Sequence, residues 1–170
     1  MLRIFRRRPK LPAAQRPVLE PDERVVAWAV LDEDQVVVAT NRGLFLPERA
    51  RLGWHEIHKA TWSGRALSVV PAAVTGSRTG YDVVEDRPPL THTLLDPGDV
   101  PHQVRARVTK SVAYTSHHSV PGGGFRVAAR RVSGADGLWW TVRFDPGTDS
   151  ESADVRQRAA ELVVAARAAV

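Results

Sequence analysis

The chain has no cysteine among its 170 residues. Disulfide bonds and cysteine-ligated metal centres are therefore excluded, and the composition is typical of a reducing compartment. Long apolar runs are also absent: the longest is the seven-residue stretch 25–31, whereas about 20 residues are needed to span a bilayer. Residues 1–14 contain no apolar region of the kind found in signal peptides. We therefore expect a cytoplasmic protein without a membrane span.

Recognisable catalytic and metal-binding motifs are missing as well. The chain has no G-x-S-x-G sequence, and its glycine-rich stretches are not followed by Gly-Lys-Ser/Thr. His55 and His58 flank Glu56 at a spacing of three, which differs from the i, i+4 pair of a helical zinc site. The sequence thus predicts no catalytic residue, no metal, no cofactor and a non-enzymatic role. An enzyme of unrecognised type is the third hypothesis, because carboxylates are plentiful.

Basic residues are concentrated in two parts of the chain. Residues 1–17 hold six of them, and residues 100–131 hold another six, in both cases without an acidic residue. The chain after residue 17 has 18 basic and 19 acidic residues. The overall charge of +5 therefore reflects local patches, and it does not by itself predict a domain that coats itself with nucleic acid.

Residues 1–17 are predicted to form a flexible basic arm ahead of one globular domain, 18–170. The arm contains three prolines besides its charges, and such a mixture cannot pack a core. It suits contact with an anionic membrane surface or with phosphate groups, and a solvated arm without a partner is the alternative. The residues expected to make such contacts are Arg3, Arg6, Arg7, Arg8 and Lys10.

Alternating and β-branched residues predict antiparallel sheet through the first half of the domain. The predicted strands are 24–31, 35–40, 43–46, 52–62 with a bulge, 66–70 and 90–95. Asn41, Arg42 and Gly43 suit a tight turn with positive φ. Because the stretch 71–89 contains several glycines and prolines, we expect a long loop or a weak edge there, around a short strand at 81–84.

The apolar spacing changes to a helical one in two places. Valines at 100, 104, 108 and 112 recur every fourth residue and predict a central helix over 101–116 that packs on the sheet. A C-terminal helix is predicted over 153–168, starting after Ser150 or Ser152. Its apolar stripe consists of Val155, Ala159, Leu162, Val163 and Ala166.

The segments 125–132 and 138–144 predict a late β-hairpin whose register follows from its alternation. Pairing Phe125 with Phe144 keeps the apolar residues on one face, with Val127 opposite Val142 and Ala129 opposite Trp140. The other face then presents Arg126, Arg130, Trp139, Thr141 and Arg143. Arg130, Trp139, Arg126 and Arg143 are therefore predicted to form a binding face.

This face raises a question of charge compensation. Arg130 opposite Trp139 suits a cation–π pair, but Arg126 opposite Arg143 is an unfavourable like-charge pair unless an anion lies across it. Two explanations stay open. The anion is an internal residue such as Glu151 or Asp154, or it belongs to an external ligand such as nucleic acid, lipid or an acidic partner.

The runs VVVATNRGLFLP, RLGWHEIHKATW and ALSVVP resemble the bacterial pleckstrin-homology and GRAM-like domains over residues 18–95. The features that match are the turn at 40–43, Trp54, Ile57 and a closing helix at 153–168. The chain as a whole is similar to small uncharacterised proteins of high-GC Gram-positive bacteria, the actinobacterial group. The resemblance implies a partly open barrel plugged by a helix, and a binding role. Lipid headgroups are not expected at the first hairpin loop, because residues 32–34 are all acidic.

These observations predict an α+β fold, mainly antiparallel sheet, with a pleckstrin-homology-like partly open barrel, a central helix, a late hairpin and a C-terminal helix. The predicted function is a binding or scaffolding module that engages an acidic partner, or the inner membrane surface as a peripheral protein, through the arm and the Arg/Trp face. Nucleic-acid binding by the same basic residues is the alternative. The sequence does not indicate an oligomeric state.

Overall fold

The computed structural model describes residues 10–170, with the backbone alone at Glu33. Of the predicted arm, Lys10 is described and exposed, whereas Arg3, Arg6, Arg7 and Arg8 lie outside the described residues. The prediction of an α+β fold made mainly of antiparallel sheet is confirmed. No helix within the described range is long and apolar enough to cross a membrane.

The first sheet is an antiparallel meander of four strands in chain order. It consists of β1 (Val25–Val30), β2 (Val36–Thr40), β3 (Gly43–Phe45) and β4 (Leu52–Gly53). The acidic residues Asp32–Asp34 form a 3₁₀ turn between β1 and β2. The predicted strand 52–62 is divided in the structure: a 3₁₀ turn at Trp54–Glu56 separates β4 from the next strand. The expected irregularity is present as well, as a register shift between Ile57 and Lys59.

The second sheet has seven strands. Six of them follow the order β5, β6, β7, β11, β10, β9, and the seventh, β8, pairs with β6 outside this order. These strands are β5 (Ile57–Ser63), β6 (Ala66–Arg78), β7 (Tyr81–Asp86), β8 (Leu90–Thr93), β9 (Val112–Val120), β10 (Gly123–Arg131) and β11 (Leu138–Phe144). All pairs are antiparallel except β7 with β11. The strands of residues 57–93 and those of residues 112–144 therefore form one sheet, joined by the pairing of β7 with β11.

Each of the two helices covers its own hydrophobic cluster. Helix α1 (Val100–Ser111) buries Val100, Val104 and Val108 in the first cluster, which the first sheet, β5 and β6 complete. Helix α2 (Ala153–Ala169) lies on the second cluster, formed by β7, β10 and β11. Helix α1 thus covers the cluster built from the first half, and α2 packs partly on Tyr81 and Val83 of β7. The match of the helix at 153–168 to the closing helix of a barrel stays a prediction.

The expected loop at 71–89 is wrong. Strand β6 is 13 residues long and extends to Arg78, and β7 then pairs beside it. Pro71 is tolerated within β6 since the register with β5 shifts at this point, between Ile57 and Lys59. Its carbonyl still accepts a hydrogen bond from the backbone N–H of Arg87 (2.8 Å). Pairing along the whole length of β7 outweighs the local turn signals of the glycines and prolines.

Helix α1 ends at Ser111, five residues earlier than predicted, and residues 112–120 form strand β9. The stretch from Val112 to Thr115 is β-branched or aromatic except at Ala113, which favours a strand once β10 offers hydrogen bonds. Val112 therefore belongs to the sheet. The valine period cannot show this on its own, because the fourth valine fits either structure.

A buried carboxylate fixes the start of β1 against the turn between β2 and β3. The side chain of Glu23 accepts hydrogen bonds from Thr40 Oγ1 (2.7 Å), Arg51 Nη1 (2.6 Å) and the backbone N–H of Glu20 (3.0 Å). Burial by itself would raise the pKa of Glu23, but these hydrogen bonds lower it below its ordinary value. The folded state therefore holds Glu23 in its ionised form.

The turn at 41–43 uses no positive φ, contrary to the sequence expectation. Gly43 is required there for a different reason: a Cβ at this position would lie 2.2 Å from the carbonyl oxygen of Leu52. The backbones of β3 and β4 therefore approach more closely than any side chain at Gly43 allows.

We predict that Glu23→Ala lowers the free energy of unfolding by at least ~2 kcal/mol, because it leaves Thr40 and Arg51 without their buried acceptor. Glu20→Ala is the matched control: its side chain is exposed and makes no hydrogen bond with the part of the chain that the structure describes, so a change within about 0.5 kcal/mol is expected. Urea unfolding at pH 7 measures both variants. Equal effects of the two substitutions would contradict the assignment.

Candidate functional site: an arginine cleft

The four hairpin residues predicted to form a binding face all line one cleft of about 350 Å³. We call it the arginine cleft and define it by Arg126, Arg130, Arg143, Trp139, His55 and His58. The predicted register is confirmed: Phe125 lies opposite Phe144, and Arg126 opposite Arg143. The apolar face of the hairpin packs in the second cluster under α2, as the alternation predicts.

The opposite face is less exposed than the sequence suggested. Arg130 and Thr141 are buried, with 6% and 4% of their surface exposed. The turn at Trp54–Glu56 and the start of β5 lie across this face, so that His55 and His58 form a wall opposite the strands. The predicted face is therefore the floor of a cleft between the two halves of the domain.

Arg130 lies at the base of the cleft, and its hydrogen-bond partners among residues 10–170 are all neutral. Its Nη2 donates to the carbonyl of Ile57 (2.7 Å), and its Nη1 donates to Ser111 Oγ (2.5 Å) and to the carbonyl of Val108 (3.3 Å). The predicted cation–π pair with Trp139 does not form, because the guanidinium turns inward to these acceptors. Burial, assisted by the charge of Arg143, lowers the pKa of Arg130, yet arginine remains charged.

Arg143 has an internal carboxylate partner, but not one of those expected from the sequence. Its Nη1 donates to Asp86 Oδ1 (2.8 Å) on β7. Glu151 instead binds Arg78 and Arg156, and Asp154 takes part in no ion pair among residues 10–170. The internal explanation thus holds for Arg143 with Asp86 as the anion, which sequence reasoning missed because β7 was expected to end at residue 84.

Arg126 has no carboxylate partner in the described structure. Its Nη1 donates to Thr115 Oγ1 (3.0 Å) of the neighbouring strand β9, and its remaining guanidinium donors make no hydrogen bond to a side chain or carbonyl of residues 10–170. In this cross-strand pair, Arg143 therefore has a carboxylate partner, and Arg126 has none among the described residues.

Trp139 is held in place by two contacts. Its Nε1 donates to Asp82 Oδ2 (2.8 Å), and the edge of its ring meets the His55 ring with centroids 5.5 Å apart and planes at 88°. These contacts fix the indole as a side wall of the cleft. A ring held in this way suits a defined apolar contact.

Two histidines bring ionisable groups to the cleft that the sequence did not single out as site residues. Burial lowers the pKa of His55, opposed in part by Glu56. Burial also lowers the pKa of His58, outweighing the opposite effect of its hydrogen bond with Asp86. Because a carboxylate only accepts, His58 donates from Nδ1 to Asp86 Oδ1 (2.5 Å). Both imidazoles are therefore neutral near pH 7.

Asp86 thus serves two partners at once. Its own burial would raise its pKa, but the hydrogen bonds from His58 and Arg143 lower it below the ordinary value. No sequence signal connects these residues, since 28 positions separate His58 from Asp86 and 57 separate Asp86 from Arg143. The long-range pairing of β7 with β11 brings them together.

A larger, more open groove of about 840 Å³ adjoins the cleft where β7 and β11 diverge. Its charges are mixed: Arg78 and Arg156 both bind Glu151. Arg78 also lies over the ring of Phe144, 5.7 Å from the ring centroid. This groove therefore lacks the excess of positive charge that distinguishes the arginine cleft.

Within residues 10–170, no group of three or more histidine, aspartate or glutamate side chains is arranged to hold a metal ion. The prediction that no metal is bound stays a prediction. No protein-family model, curated protein or solved structure matches this chain.

We predict that Arg130→Met lowers the free energy of unfolding by about 2–4 kcal/mol, because it leaves the buried carbonyl of Ile57 without a donor and removes two further bonds. Arg131→Met is the matched control on the same strand. Its guanidinium binds the carbonyls of Lys110 and Val112 at the exposed surface, so a loss below ~1 kcal/mol is expected. Urea unfolding distinguishes the two. An Arg130→Met protein as stable as the wild type would refute the structural role.

We also predict a stability that falls as the pH decreases from about 7 to 5. The pKa values of His55 and His58 are lowered by folding, so the unfolded chain binds more protons once the pH drops below the ordinary histidine pKa of ~6.5. The stabilisation from the neutral imidazoles is present above that pH and is lost as the pH falls toward their folded values.

Urea unfolding at pH 7.5 and 5.5 measures this loss. His58→Gln should make it smaller, whereas replacing the exposed His102 by glutamine should leave it unchanged. A loss of the same size in His58→Gln and in the wild type would show that His58 does not contribute.

Proposed function

We propose that this protein is a non-enzymatic binding module whose arginine cleft receives an anionic group of an acidic protein partner. One observation carries the proposal: Arg126, Arg130 and Arg143 line a single cleft, and within residues 10–170 the one carboxylate that any of them contacts is Asp86. An anion bound between them would relieve their repulsion.

The positions of Arg126 and Arg143 support this proposal. As directly opposed residues of β10 and β11 they project from the same face, with Cβ atoms about 5 Å apart. Nη1 of Arg126 donates to Thr115, and Nη1 of Arg143 donates to Asp86. The other donors of both guanidinium groups are left for a ligand. Planar guanidinium groups bind carboxylate and phosphate with two parallel hydrogen bonds.

The size of the cleft favours a single anionic group. A volume of about 350 Å³ lies at the lower end of the range for ligand pockets. It suits one acidic side chain or a chain terminus. A flat membrane surface would leave the buried Arg130 out of reach.

Nucleic-acid binding is the second candidate, and a different surface favours it. Arg105 in the middle of α1, and Lys110 and Arg131 near its C-terminal end, are exposed. None of them contacts a carboxylate among the described residues. Such an open cationic surface suits a phosphate backbone, with affinity that falls steeply as salt is added.

The arm adds a further expectation to the proposal. Its basic residues would strengthen contact with an acidic partner, or hold the protein at the inner, cytoplasmic face of the membrane. They are Arg3, Arg6, Arg7, Arg8 and Lys10. Each basic residue near an anionic surface contributes about 1 kcal/mol.

The order of elements from β1 to α1 supports a pleckstrin-like ancestry for this part of the chain. A four-stranded meander is followed by β5 to β8, and then by a helix that packs on the cluster shared by the meander, β5 and β6. This arrangement supports a binding role by analogy alone, since one fold hosts many functions.

The test uses a fluorescent hexaglutamate peptide as the acidic probe, with anisotropy measured at two salt concentrations. We predict that Arg126→Gln weakens its binding about tenfold, equivalent to ~1.4 kcal/mol, while the stability of the protein stays the same or rises because a like-charge pair is removed. Arg65→Gln is the matched control. It removes the same charge from an exposed turn remote from the cleft.

Equal affinities of the Arg126→Gln and Arg65→Gln proteins for the peptide would refute the cleft as the binding site. A single-stranded oligonucleotide serves as the second probe. Binding of the oligonucleotide that is lost in Lys110→Gln but kept in Arg126→Gln would favour the nucleic-acid alternative.

A further inference from the structure

Strand β9 forms one edge of the seven-stranded sheet, and its sequence has none of the usual protection. Among the described residues it pairs with β10 alone. Its nine residues, VAYTSHHSV, include no proline, lysine, arginine, aspartate or glutamate. Exposed edges are normally blunted by such residues, because unpaired N–H and C=O groups recruit another strand.

The register with β10 identifies the backbone groups that stay unpaired. Val120 and Gly123 flank a two-residue turn and face each other, so they form a hydrogen-bonded pair. Hydrogen-bonded pairs then alternate along the strand, and the even-numbered residues of β9 point their N–H and C=O groups toward β10. The odd-numbered residues, from Ala113 to Ser119, point theirs outward.

The sequence of β9 reads nearly the same in both directions about Ser116. Valines stand at both ends, small residues at 113 and 119, and aromatic rings at 114 and 118. An antiparallel copy centred on Ser116 would therefore place Ala113 opposite Ser119 and Thr115 opposite His117. These are the outward-pointing residues, so this register is the one in which the free groups meet.

We propose that β9 pairs with β9 of a second copy of this chain, antiparallel and two-fold symmetric about Ser116. The interface is isologous, as expected for a closed dimer, and it places no like charges opposite each other near neutral pH. The polar row formed by Tyr114, Ser116 and His118, linked by hydrogen bonds of 3.0 Å and 2.8 Å, would lie beside its own copy.

The position of α2 leaves room for this pairing. Helix α2 packs chiefly on β10, and the residues of β9 that border the shared cluster are only partly buried. In the dimer β10 and its copy are three strand spacings apart, about 14 Å, whereas packed helices need 8–10 Å between axes. A two-fold axis perpendicular to the sheet keeps both arginine clefts on the same side, opposite the helices. The dimer would thus present two anion-binding clefts to one partner surface.

The first test is sedimentation equilibrium of the full chain and two variants of His117. The apparent mass of the wild type should rise with concentration toward twice the 18.7 kDa of one chain. His117→Pro removes an outward N–H without touching the bonds to β10, and it should remain monomeric. His117→Ala loses the same imidazole and its contact with Asp145 (2.7 Å) but keeps the N–H, so it should still dimerise.

The second test uses the absence of cysteine in the chain. In a non-hydrogen-bonded antiparallel pair the Cα atoms are about 4.5 Å apart, within the range that a disulfide spans. Ser116→Cys should therefore form a covalent dimer on mild oxidation, and Ser77→Cys, exposed on β6, should not.

A wild-type protein that stays monomeric at every concentration, together with equal cross-linking of Ser116→Cys and Ser77→Cys, would overturn the proposal. Dimerisation that persists in His117→Pro would likewise overturn it by placing the interface elsewhere. Loss of the dimer in His117→Ala as well as His117→Pro would assign the effect to the imidazole, and would also refute pairing through the backbone.

Discussion

One guanidinium group joins the two hydrophobic clusters of this chain. Arg130 belongs to β10, whose apolar face packs under α2, yet its side chain binds the carbonyl of Ile57 at the start of β5 and reaches Val108 and Ser111 at the end of α1. The last turn of α1 has carbonyl groups without partners inside the helix, and the strand shift near Ile57 leaves another. A single planar donor satisfies them together. This contact therefore fixes the floor of the cleft to β5 and α1, in addition to the continuous pairing of β6, β7 and β11.

The same contact explains the charge of the cleft. An arginine bound to carboxylates would be neutralised, whereas carbonyl and hydroxyl acceptors satisfy its hydrogen bonds and leave the positive charge in place. The cost of burying that charge is reflected in the lowered pKa of Arg130. Burial likewise lowers the pKa values of His55 and His58, and the nearby charge of Arg130 acts in the same direction. A structural contact and a positive charge at the floor of the cleft are therefore two consequences of one buried group.

The sequence predicts what depends on short-range pattern and misses what depends on distant pairing. Alternation over 125–131 and 138–144 specifies the register, since a slip by one residue would turn Val127 and Val142 to the polar side. This alternation does not indicate which element lies across the polar face of the hairpin. His55, His58 and Asp86 reach the cleft through the long β6, the full length of β7 and its parallel contact with β11. Pro71, Gly76 and Gly80 give the opposite local signal, which pairing overrides. The arrangement of the cleft could therefore not be derived from spacing alone.

The cleft and the edge of the sheet are linked through β9. Thr115 receives the hydrogen bond of Arg126, and His117, directly across from Arg126, binds Asp145 beyond β11. The backbone groups of these two β9 residues point outward, away from β10, while their side chains lie on the cleft side of the sheet. An anion that draws Arg126 away from Thr115 would therefore change the packing of the same residues whose backbone is free to pair. Because binding energies are reciprocal, order imposed on this edge by a second strand would in turn favour one position of Arg126 in the cleft.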